Sequence, residues 1–96
     1  MAFEDFQKSV ENDEAPDENL DLPLQALWWD AKGGWEKAHE LCQRAGSREG
    51  DWVHAYLHRK EGDEGNASYW YSRAGKTMPG SSFESEWRAI VEELLR

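Results

Sequence analysis

Apolar residues recur along this chain at helical rather than strand spacing, in segments separated by acidic or glycine-containing breaks. Phe3, Phe6 and Val10 follow one another at intervals of three and four, which predicts a short helix able to dock on the rest of the chain. The run from Glu11 to Glu18 is polar and acidic and reads as a solvated linker, so residues 1–20 are expected to be an acidic segment, partly helical or disordered. Asp21-Leu22-Pro23 has the form of a helix start, because Asp can accept from free amides and Pro fits a first turn that needs no donor. A helix is expected from there to about Lys32. An offset of 29 residues then sets Arg44-Ala45-Gly46 on Arg73-Ala74-Gly75, Ala26 on Ala55, Gly33 on Gly62 and Ala38 on Ala67. Each unit reads as helix, glycine turn, helix, with Gly46 and Gly75 at the left-handed position that closes a helix. The boundaries predicted are hairpins over 21–46 and 51–76, the second opening near Trp52. A last helix follows over 82–96, capped by Ser81 or Ser82, with Glu84 completing a box to Ser81 and Phe83, Trp87, Ile90, Val91, Leu94 and Leu95 on one stripe.

The repeat resembles the tetratricopeptide repeat. That family has a small residue in its first helix, Gly at the turn, then Ala, an aromatic, Ala and Pro at fixed intervals. Ala55, Gly62, Ala67, Tyr71, Ala74 and Pro79 match all of these positions. Ala26, Gly33, Ala38, Cys42 and Ala45 match in the first unit, where Gly50 replaces the Pro. The resemblance covers roughly residues 21–80, and the 29-residue unit is shorter than the usual length of about 34. The string from His54 to Asp63, continued by Asn66 to Gly75, is also similar to a segment of small uncharacterised proteins, a likeness that implies no activity. The fold implied is all-α: two antiparallel helix hairpins and a C-terminal capping helix, forming a single domain over 21–96.

Composition narrows the functions on offer. Ninety-six residues make one domain with little room for a second core. A net charge of −9 opposes broad contact with nucleic acid or anionic lipid. No apolar run approaches a membrane span and the N-terminus lacks the form of a signal peptide, so a cytoplasmic protein is expected. The lone Cys42 cannot form an internal disulfide and is placed on an apolar face as a buried thiol.

No phosphate loop, catalytic triad or nucleophile elbow is present, so no catalytic residue and no cofactor are assigned, and a protein-protein interaction or scaffold module is expected rather than an enzyme. The resemblance places Leu27, Asp30 and Ala31, then Trp52, Tyr56, Arg59 and Lys60, on the concave groove of the repeats. Two rings beside two cations suit an acidic peptide or a C-terminal carboxylate, with His54, His58, Trp70 and Arg73 as an extension. A homodimer through unpaired apolar stripes is the structural alternative. His54 and His58, four apart, raise a third reading, an enzyme using a metal or a small molecule, but a metal clamp needs another ligand and only Asp51 and Glu61 are near in sequence. Without one, the two imidazoles are expected to face inward, pack on the aromatics of the next helix and satisfy their nitrogens locally, and no metal is assigned.

Overall fold

The computed structural model describes all 96 residues and contains helices only: α1 (Phe3–Asn12), α2 (Leu22–Ala31), α3 (Trp35–Ala45), α4 (Arg48–Lys60), α5 (Glu64–Ala74) and α6 (Phe83–Leu94). Helix α2 packs chiefly on α3, and α4 chiefly on α5, while α3 lies against α4 and joins the two pairs. Helix α6 covers α2 and α4, and α1 rests on α2. No helix is long and apolar enough to cross a membrane.

Two turns 29 residues apart share one backbone form. Both turns inside the pairs use a glycine at φ near +90°, Gly33 at 88° and Gly62 at 90°, a conformation that side chains with a Cβ rarely adopt. The closing hydrogen bonds correspond one for one: Gly34 N–H to Trp29 O at 2.8 Å, and Asp63 N–H to His58 O at 2.9 Å. Small residues at the same phase in each pair let the helices approach. Ala26, Ala38, Ala55 and Ala67 are all fully buried. Asp63 caps α5, its carboxylate accepting from Asn66 N–H at 3.2 Å.

Three local expectations need correction. Helix α4 begins at Arg48, not near Trp52, because Ser47 caps it by accepting from Gly50 N–H at 3.0 Å, and Glu49 and Asp51 sit in its electropositive first turn. Helix α6 is capped by Ser82, which accepts from Ser85 N–H at 3.1 Å, so the box to Ser81 does not form. Asp21 stands at the N-cap of α2 without a side-chain bond, leaving Pro23 in the first turn as the start signal that operates.

Gly50 shows how tightly α3 and α4 meet. A Cβ there would lie 2.9 Å from Ala45 Cβ and 3.0 Å from Cys42 O, neither of which can swing aside. Gly50→Ala gains helix propensity of up to about 1 kcal/mol but meets an overpacking cost of about 1–3 kcal/mol. The expected result is a melting temperature several degrees lower; a higher one would show that the two helices are looser than described.

The core draws on every helix except α5, with Phe6, Leu27, Trp28, Val53, Leu57, Ile90 and Val91 fully buried. Phe3 and Phe6 pack on Trp87 at centroid distances of 5.9 and 5.8 Å, and the Trp28 indole N–H donates to Ser9 Oγ at 3.0 Å, so α1 is bound into the body by apolar and polar contacts alike. A smaller cluster of Ala55, Ala67 and Tyr71 holds α5 to α4.

Candidate functional site

Helix α4 presents chemistry on two faces. Residues 54 and 58 lie about 200° around the helix from 56 and 60, so the histidines and the Tyr56/Lys60 pair are directed apart.

On the first face, Asp30 of α2 is buried with 4% exposure and accepts from Tyr56 Oη at 3.2 Å and from Lys60 Nζ at 3.1 and 3.3 Å. Beside it, Glu86 of α6, also 4% exposed, accepts from Arg59 Nη1 at 2.8 Å and from Tyr71 Oη at 2.5 Å. The Arg59 guanidinium donates to Ser81 O as well and lies 4.8 Å from the Phe83 ring centroid. Each buried carboxylate thus has a cation and a phenol, and no sealed side-chain nitrogen or oxygen lacks a partner. Burial first, and then the bond to Glu86, push the Tyr71 phenol well above its ordinary range.

The sign of that shift fixes an alkaline limit. Above the ordinary tyrosine value of about 10 the unfolded chain releases a proton that folded Tyr71 retains, so its stabilising contribution is whole below about pH 10 and declines as pH rises further. Urea unfolding followed from pH 8 to pH 11 should show stability falling above about pH 10, and less steeply in Tyr71→Phe. A fall of equal slope in that variant would remove Tyr71 as the cause.

The residues expected to form one groove and its extension are divided among four places. Tyr56 and Lys60 do line an open cleft of about 680 Å³, together with Asp30 and Ala31 and with Phe3, Val10, Phe83 and Trp87 from α1 and α6. Arg59 is directed into the Glu86 pair. Trp52 is half-buried elsewhere, under Lys76 Nζ at 4.2 Å from its ring. Trp70 and Arg73 belong with the histidines: Trp70 stacks on His54 at 4.0 Å, and Arg73 lies over Trp70 at 5.1 Å while pairing with Asp51 at 3.5 Å.

On the second face His54 and His58 are both buried, but only His54 packs on an aromatic of the next helix, Trp70, while His58 meets Trp35 of the preceding helix, and only His58 has a local partner, Glu61. A third histidine joins them, unforeseen in the sequence. His39 of α3 places its Nε2 2.9 Å from His54 Nε2, so the N–H of one ring donates to the other. One ring nitrogen from each of His39, His54 and His58 lies within 4.8 Å of the others. The chain has only these three histidines. Trp35 stacks on His39 at 4.9 Å opposite the Trp70 wall, and its indole N–H donates to Leu57 O at 3.0 Å. His58 Nδ1 is paired with Glu61 Oε1 at 2.6 Å. Burial, followed by the neighbouring imidazoles, lowers His54 to about 4 and lowers His39 as well, so both are neutral at pH 7. The one local signal for His39 was its place next to the fully buried Ala38.

Cys42 is buried as expected, its thiol pushed up to about 12 by burial, which leaves it protonated and unreactive. No protein family, curated protein or solved structure matches this chain significantly.

Proposed function

We propose that this chain is a helical binding module that receives a segment of a partner protein in the cleft between α1, α2, α4 and α6. The observation that carries the reading is the cleft itself, about 680 Å³, open to solvent and walled by Phe3, Val10, Phe83 and Trp87 above a floor of Tyr56 and Lys60. Four positions that the tetratricopeptide resemblance assigns to the concave surface, Asp30, Ala31, Tyr56 and Lys60, are among its linings.

Charge decides what kind of segment fits. The cleft carries Glu11, Asp30 and Glu84 against Lys60 and Arg88. Lys60 is already neutralised by Asp30, and Arg88 pairs with Glu92 at 3.4 Å and lies over the Phe3 ring. Neither cation is left free for a guest carboxylate, and the whole chain is at −9. An amphipathic segment with apolar anchors and basic flanks therefore suits the cleft better than the acidic peptide expected from the residues alone.

Titration with helical peptides that share apolar anchors and differ only in Arg or Glu flanks tests this. The Arg-flanked peptide should bind at least roughly tenfold tighter, a gain of about 1.4 kcal/mol. Gln7→Trp, which puts a large ring into the cleft from an exposed position, should abolish the difference without altering the fold. Equal binding of both peptides, or binding unaffected by Gln7→Trp, would eliminate the cleft as the site.

A further inference from the structure

We infer that His39, His54 and His58 form a binding site for one divalent transition-metal ion of the zinc class, which ties α3 to α4. The cluster draws on two helices, and all three histidines of the chain contribute. Imidazole is a ligand of choice for zinc and its first-row neighbours, and three of them leave a fourth position for water.

The geometry is close to what such an ion requires. Metal–nitrogen bonds of about 2.0–2.1 Å at tetrahedral angles set ligand nitrogens roughly 3.3–3.4 Å apart. His39 and His54 stand at 2.9 Å, so they need to open by only about 0.4 Å to exchange a shared proton for a metal. The third nitrogen lies within 4.8 Å of both and closes by a side-chain rotation on the order of 1 Å.

Glu61 supplies the second feature of a metal site. Its carboxylate holds His58 Nδ1 at 2.6 Å, which keeps the proton on that nitrogen and leaves Nε2 as the ligand atom. No hydrogen bond within the protein involves His58 Nε2, yet no sealed side-chain nitrogen is without a partner, so this atom retains contact with solvent and offers a way in. Trp35 and Trp70 hold the His39 and His54 rings from outside the cluster.

Two histidines would suffice for the single hydrogen bond that His39 and His54 share. A third imidazole, buried beside them and oriented by a carboxylate, adds nothing to that bond but completes a facial set of ligands. The cleft of about 680 Å³ between α1, α2, α4 and α6 is lined by none of the three histidines, so the ion would act as a brace between consecutive helix pairs. This site is independent of the cleft, which lies on the other face of α4.

Zinc chloride added to metal-free full-length protein tests it. At a hundredfold excess over Kd the melting temperature should rise by roughly 10 °C, with one ion bound per chain. His39 is only half-buried, so His39→Ala should still fold, with a metal-free melting temperature somewhat below the parent's for loss of the His54 bond, and show no rise with zinc. Glu61→Gln should keep the stoichiometry and weaken zinc binding about 10–100-fold. Nickel should quench part of the tryptophan emission of the parent chain through Trp35 and Trp70, and leave His39→Ala unquenched. A melting temperature and emission indifferent to zinc and nickel would overturn the site. So would equal zinc affinity in the parent and in folded His39→Ala.

Discussion

Arg59→Glu is expected to unfold this protein. Its guanidinium is the only cation bonded to Glu86, which is 4% exposed and already accepts a phenol from Tyr71. Exchange for Glu removes that cation and sets a second carboxylate against the first in a buried position. Breaking a buried pair by removing one partner costs about 3–5 kcal/mol, and like-charge repulsion adds to it. Total stability of a domain is about 5–15 kcal/mol, so most of it is lost. Far-UV circular dichroism should show helicity collapsing, or a urea midpoint displaced far downward. A solvated groove cation, as the repeat resemblance implies for Arg59, would instead lose binding and spare helicity on this exchange. Helicity preserved at parental stability would restore Arg59 as a surface residue.

A comparable loss is expected at Trp28. Its side chain is fully buried, meets Trp29 edge to face at 5.0 Å, and sends its indole N–H to Ser9 on α1. Trp28→Ala leaves a cavity the size of two fused rings and removes the indole bond to Ser9, at a cost of about 3–5 kcal/mol. In a chain of this length each 1 kcal/mol lowers the melting temperature by about 4–8 °C, so a fall of roughly 12 °C or more should be measured. Trp28→Phe should fall between the two. A change of only a degree or two in Trp28→Ala would mean that α1 is not packed on α2 as described.

Features that depend on neighbours in sequence were readable before any coordinates. Ile90 and Val91 of the α6 stripe, the glycines that end α3 and α5, and the paired small residues Ala38 and Ala67 all act within a turn or a repeat and stand where the spacing put them, whereas Phe83, placed on the same stripe, is 42% exposed and Leu95 lies just past the helix. The start of α4 was missed because Gly50 reads as a linker residue, when it is instead the small residue that lets α4 pass Ala45. The charged pairs were missed for a different reason. A solvated cation and one tied to a buried carboxylate look alike in a sequence, and Arg59 and Lys60 were read as free. A signal did exist in Glu86, which lies three residues after Phe83 and four before Ile90 and so interrupts an apolar face with a charge that demands a partner. His39 lies fifteen positions before His54, on another helix. No periodicity links them, and only the packing of α3 on α4 brings the rings together.

Arg59 and Lys60 are held by buried carboxylates inside the fold, and the proposed roles of the cleft and the histidine cluster rest on that. A double-mutant cycle on Arg59→Met and Glu86→Leu measures this most directly by urea unfolding. Each single change strands a buried charge, whereas together they leave two apolar side chains facing each other. The double variant should be more stable than either single one, with a coupling of about 2–3 kcal/mol. Two losses that simply add would contradict the account and return Arg59 to the surface.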